Sequence, residues 1–176
     1  MKKVITYLII LISTLVSTAF IYPGGSYVAT ERNMLFKIDR SRDPDVIVYD
    51  VNLNSMGELD KSNPINIYWI KNTQKGIIKP LTGIQKKFGY GLKFISISEN
   101  MADFQFVSYF DRVFKLRRTD NNQFKVFTVS HNKKVEVQRL YVQFEDNSSW
   151  IPNITNIELY GIDTDNGNPV HESISN

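Results

Sequence analysis

Residues 123–144 read QFKVFTVSHNKKVEVQRLYVQF, and the spacing of their apolar side chains decides the fold. Gln123 to Ser130 and Val135 to Phe144 are rich in β-branched and aromatic residues that recur at every second position, the periodicity of a strand with one buried face. Between them, His131-Asn132-Lys133-Lys134 is a short polar connection of hairpin type. In the second strand the apolar set is Val135 and Val137, then Leu140, Val142 and Phe144. The phase slips by one around Gln138-Arg139, which predicts a β-bulge there.

The same alternation extends in both directions. Met34 to Ile38 and Asp45 to Val51 read as a hairpin joined by Asp39-Arg40-Ser41-Arg42-Asp43-Pro44, and Ile65 to Lys71 as the next strand after a polar stretch from Asn52 to Asn63. Leu92 to Ile97, Phe104 to Tyr109, Arg112 to Arg118 and Ile154 to Ile162 continue the series, and the tail after Val170 is expected to fray. Leu81, Ile84 and Phe88 alone fall at helical spacing. With Pro80 in its first turn and Gly89 or Gly91 as a left-handed stop, they predict one short α-helix lying across the sheet. The fold class is therefore mainly β: an antiparallel β-sandwich or partly closed β-barrel of about eight or nine strands with one short helix.

Met1-Lys2-Lys3 precedes an uncharged run from Val4 to Tyr22, the pattern of an export segment. Ser17 and Ala19 suit cleavage after Ala19, with an uncleaved membrane anchor as the alternative. The expected organisation is a leader over 1–19, a linker over 20–33 and one domain over 34–176, placed outside the cytoplasm, periplasmic or extracellular. The chain has no cysteine, which excludes disulfides, thiolate catalysis and Cys-ligated metals. Without Lys2 and Lys3, 19 basic residues face 18 acidic ones, a net charge of +1. So balanced a domain lacks the cationic excess on which nucleic-acid binding draws. Membrane contact is expected only through the N-terminal segment, and the expected partner is a small molecule or an envelope protein. Asn147-Ser148-Ser149 and Asn153-Ile154-Thr155 matter as glycosylation acceptors only in a eukaryotic secretory pathway.

The stretches LFKIDRSRDPDVIVYDVN, NPINIYWI, LTGIQKKFGYGL and IELYGIDTDNGNPVHE resemble, in order and over nearly all of the mature chain, a bacterial family catalogued as domain of unknown function 4833. The resemblance implies a single compact exported domain. It supplies no catalytic or binding residues.

No constellation specifies a chemistry. His131 and His171 are the two histidines; His171-Glu172 and Asp163 to Asp165 read as a solvated hairpin end rather than a metal site. Asp163-Thr164-Asp165-Asn166-Gly167 departs from an EF-hand in the place of its glycine and lacks the closing glutamate. No serine sits in a Gly-x-Ser-x-Gly elbow and no phosphate-cradling loop is present. Glu136, Glu158 and Asp50 are the carboxylates available to a glycan hydrolase, although acidic residues on strands ordinarily mark the solvent face. No cofactor is implied. Arg40, Arg42, Tyr49, Tyr68, Trp69, Lys86, Lys87 and Tyr90 mix cations with aromatics, as a cleft for an anionic or amphipathic ligand does, and form the candidate binding set. Three roles follow: non-catalytic binding at the helix-side mouth, hydrolysis of cell-wall or glycan material, and a structural part in the envelope.

Overall fold

The computed structural model describes residues 33–145 and 154–175. The expected leader, nearly all of the linker and Asn147-Ser148-Ser149 lie outside these described residues. The strands are β1 (Met34–Arg40), β2 (Val46–Val51), β3 (Ile65–Lys71), β4 (Ile77–Pro80), β5 (Leu92–Ile97), β6 (Met101–Phe106), β7 (Tyr109–Arg118), β8 (Phe124–Ser130), β9 (Lys133–Phe144), β10 (Ile154–Asp163) and β11 (Pro169–Ser175). Nine of them follow one hydrogen-bonded path, β4-β3-β2-β1-β9-β8-β7-β6-β5, curled into a half-barrel.

β9 organises the whole. One edge pairs along its length with β10, from Val135 opposite Asp163 to Phe144 opposite Ile154. The other edge is shared: Lys133 to Glu136 pair antiparallel with β8, and Arg139 to Val142 pair parallel with β1. Two arms, β1 to β4 and β8 to β5, thus leave the same edge of one strand. The bulge expected near Gln138-Arg139 lies at the hand-over, where Tyr160 faces Arg139 but Gly161 faces Val137. The two-for-one count increases local twist and lets the arms diverge. A Cβ on Gly161 would come within 2.3 Å of the Glu136 carbonyl oxygen, so only glycine fits beside the bulge.

The core lies between the arms. Phe36 stacks on Tyr49 with centroids 4.4 Å apart, and Phe106 from the opposite arm meets both rings edge-on at 6.1 and 5.7 Å. Such pairs add to the burial of apolar area that holds the arms together. The Ser130 to Lys133 connection is a two-residue turn with His131 and Asn132 both at positive φ, the geometry that matches strand twist.

Three local expectations are revised. The tail does not fray at Val170: Pro169 to Ser175 pair with β10 from Ile162 to Asn156, which satisfies the backbone groups along one edge of the strand. A short strand, β4, precedes the helix, and Pro80 ends this strand instead of opening the helix. The helix is Gly83–Gln85 (α1), continued by a π turn over Lys86–Tyr90. Thr82 opens it with a capping box, its Oγ1 accepting from the Gln85 N–H while the Gln85 side chain accepts from the Thr82 N–H. No left-handed glycine closes it, since Gly91 is extended. Gly91 is needed instead for close approach, because a Cβ there would stand 1.9 Å from the Lys86 carbonyl oxygen.

Candidate functional site

Between the arms and β9, β10 and β11 lies a cavity of about 530 Å³. Leu140, Val142 and Phe144 of β9, Ile157 and Leu159 of β10, Ile38 of β1 and Ile174 of β11 form one wall. Alternation places them there: residues two apart on a strand share a face, and this face both packs into the core and borders the cavity. The polar lining comes from a different part of the chain. Gln85 and Tyr90 are on the helical segment, Ser108 and Tyr109 are on the β6–β7 connection and the first residue of β7, and Arg112 follows on β7. Ser108 Oγ donates to the Gly89 carbonyl at 2.8 Å, joining that connection to the helix. The cavity is therefore apolar along the β9–β10 wall, and its few polar groups lie on the helix side, among Ile84, Phe88, Phe106 and Phe114.

Arg112 is held by Glu172 through two bonds of 2.7 Å, both side chains mostly buried. The carboxylate raises the guanidinium's pKa above its ordinary value against the opposing effect of burial. The guanidinium in turn lowers that of Glu172. Both directions describe a locked, neutral pair, so Arg112 offers its remaining N–H groups without an unmatched charge.

Four of the eight candidate residues meet beside this cavity. Tyr49 Oη donates to the Tyr90 carbonyl at 2.8 Å, and burial pushes the Tyr49 hydroxyl well above its ordinary pKa, so it stays a neutral donor. Arg40 Nη1 donates to Tyr90 Oη at 3.3 Å, while Nη2 is bonded to Asp43. Burial works against the Arg40 charge, but the bonds to Asp43 and Tyr90 outweigh it and the pKa is raised. The Arg40 guanidinium lies 4.5 Å from the Trp69 ring centroid, and Trp69 meets Tyr90 edge-on at 5.6 Å. Trp69 Nε1 donates to Gln85 Oε1 at 3.2 Å, which ties β3 to the capping box.

Of the eight, only Tyr90 lines the cavity. Arg40 and Arg42 reach its wall through Phe144, whose ring centroid is 6.0 and 5.8 Å from their guanidinium carbons. Tyr68 neighbours Trp69 on β3 and so faces away from it; its hydroxyl donates to Asp50 at 2.7 Å. Lys86 and Lys87 stand exposed on the helical segment, with Lys87 Nζ 5.1 Å from the Phe88 ring.

The carboxylates considered for hydrolysis are dispersed. Glu136 pairs with Lys125 at 2.8 Å, Glu158 is bonded to Tyr160 and stands 3.4 Å from His171, and Asp50 is held by Tyr68. None of the three lines the cavity. Asp163 accepts the Asp165 N–H at 2.9 Å and an ion pair from Lys133 at 3.0 Å, which accounts for its burial within a turn. Among the described residues no group of three or more His, Asp or Glu is placed to hold a metal ion.

Sequence reasoning did not single out Gln85, Ser108, Tyr109 or Arg112. Arg112, at a strand start, carried no motif, and its partner Glu172 lies on the strand read as a frayed tail. The apolar wall did carry a signal, read there as ordinary core.

Neither the curated proteins nor the solved structures contain a match to the chain. The family profile described as Domain of unknown function (DUF4833) matches residues 36–173, from the start of the β1 core to the middle of β11. Carried by strands from both arms and by the cavity walls between them, that match means the chain belongs to the DUF4833 family.

Proposed function

We propose that the domain binds a small amphipathic molecule without transforming it, the apolar part against the β9–β10 wall and the polar end toward the helix. One observation carries the reading: the cavity is lined mostly by aliphatic and aromatic side chains, and its few polar groups, Gln85, Tyr90, Ser108, Tyr109 and Arg112, all come from the stretch between Gln85 and Arg112. Its volume of about 530 Å³ falls in the range of small-molecule sites, and such sites combine an apolar body with a few polar groups that fix orientation. Lys86 and Lys87 on the helical segment and Arg40 through Tyr90 flank these polar groups, which favours an anionic or strongly dipolar head group. The Met1 to Tyr22 segment, read as an export signal, sets this activity in the cell envelope.

The test is titration with a fluorescent fatty acid in the absence of vesicles, together with native mass spectrometry of the purified protein. Ile157→Trp adds bulk to the wall and is expected to weaken binding by about tenfold or more while leaving the circular dichroism spectrum unchanged. Saturable binding that is indifferent to this variant, or no binding of any amphipathic probe, would overturn the reading.

A further inference from the structure

We infer that the helical segment at the cavity mouth, with its flanking lysines, is a docking surface for an anionic lipid bilayer. From Lys75 to Ser98 the chain contains five lysines, Lys75, Lys79, Lys86, Lys87 and Lys93, and no aspartate or glutamate. In a domain of 19 basic and 18 acidic residues, that is a one-signed stretch. It coincides with the two edge strands of the nine-strand path, β4 and β5, and with the helix that connects them.

The same stretch exposes large apolar side chains. Ile84 is 66% exposed and Phe88 67%, and Ile77 on β4 and Ile95 on β5 are 52% and 56% exposed. Ile84 and Phe88 also line the cavity, so they form its rim. Lys86 and Lys87 lie between them in sequence, and neither enters an ion pair among the described residues. Lys87 Nζ lies 5.1 Å from the Phe88 ring centroid, so a cation and an apolar ring stand together, both exposed, at the rim.

Charge complementarity selects the occupant. A nucleic acid would satisfy the lysines but leave Ile84 and Phe88 in water, and an apolar protein partner would satisfy those two but not the ammonium groups. An anionic bilayer meets both needs, because Ile84 and Phe88 reach the acyl boundary while the lysines contact phosphates. Docking there opens the cavity rim toward a source of amphipathic molecules. This purpose rests on the proposed ligand binding; the docking itself does not.

The cysteine-free chain permits a local probe that the N-terminal segment does not confuse. Gly89→Cys places a thiol beside Phe88, where a Cβ meets nothing within 4 Å, and Val129→Cys, at a residue 59% exposed on β8, serves as the control. Each full-length variant is labelled with an environment-sensitive fluorophore and mixed with phosphatidylcholine vesicles, with or without phosphatidylglycerol, carrying spin-labelled lipid. The label at 89 is expected to shift to the blue and be quenched with phosphatidylglycerol, while the label at 129 remains aqueous. Lys86→Gln with Lys87→Gln should reduce the apparent partition coefficient by about tenfold or more, near fivefold per lysine, and Phe88→Ser should abolish the blue shift. An aqueous signal at 89 in both vesicle types would overturn the inference. So would quenching that ignores vesicle charge and the lysine variants, since the N-terminal segment alone would explain it, or a blue shift that grows with protein concentration before vesicles are added, which would mean self-association. Loss of fatty-acid binding in Ile157→Trp with the vesicle response intact separates the two proposals.

Discussion

Asp50 sits on β2 with one carboxylate oxygen accepting from Tyr68 and the other buried without a hydrogen-bond partner among the described residues. Burial raises its pKa, and the Tyr68 bond offsets this only in part. A carboxyl whose folded-state pKa lies above its unfolded value favours folding below that unfolded value, and the favourable term disappears as pH rises through the folded one. Asp50→Asn keeps an acceptor for Tyr68 and removes the charge. It is expected to stabilise the protein at neutral pH relative to wild type, with the difference shrinking as pH falls through the raised folded-state pKa and gone below about 4. Urea midpoints measured across that range check the sign, and a midpoint lowered at pH 7 would show that the ionised form is satisfied after all.

The β9 bulge shows what can and cannot be read from a strand. The slip of apolar phase at Gln138-Arg139 was visible because each side chain reports which face it occupies, and the structure places the irregularity there. What the phase could not reveal is that β9 changes neighbours at that point, since hydrogen-bond partners leave no mark on alternation. The answering glycine follows from contact geometry alone: Gly161→Ala would drive a methyl into the Glu136 carbonyl and the Val135 side chain, which stands 2.5 Å from the added atom. The expected loss is about 1–3 kcal/mol, read as a lower urea midpoint with an unchanged slope. The helix was legible as a stripe of Leu81, Ile84 and Phe88, but only Leu81 is buried. Helical spacing says that three side chains share a face; it does not say whether that face meets protein.

Across the whole molecule, composition and period-2 spacing were enough to specify a β protein and left sandwich and barrel open. The structure resolves that choice into a partly closed barrel, and the reason it was hidden is long-range: Lys37 pairs with Arg139 in parallel, a contact no local pattern encodes. The candidate site was legible in part for a related reason. Arg40, Tyr49, Trp69 and Tyr90 do converge, yet an apolar strand face reads alike whether packed or hollow, so the cavity wall passed for core. Acid sensitivity is also distributed. Burial opposes the charge of Asp45, but the Thr73 N–H at 3.0 Å, the Thr73 hydroxyl at 2.8 Å and Lys71 at 3.0 Å outweigh it and hold its pKa at about 2. A depressed carboxyl stabilises the fold above its unfolded pKa and loses that contribution as pH falls through the folded value. Asp163 and Glu172 are shifted in the same direction. Thermal midpoints should therefore fall between about pH 4 and pH 2, more gently for Asp45→Asn than for wild type.

The shared edge of β9 also sets an order of assembly. During synthesis from the amino end, β1 and the hairpins behind it emerge with no sheet to join, because the strand that receives both arms appears about a hundred residues later. Until then each arm carries a bare border of unpaired amides, the feature that invites pairing with a foreign chain. The period of greatest vulnerability is thus built into the connectivity, and a chain that stalls before Leu140 is left with two unjoined halves and no chamber between them.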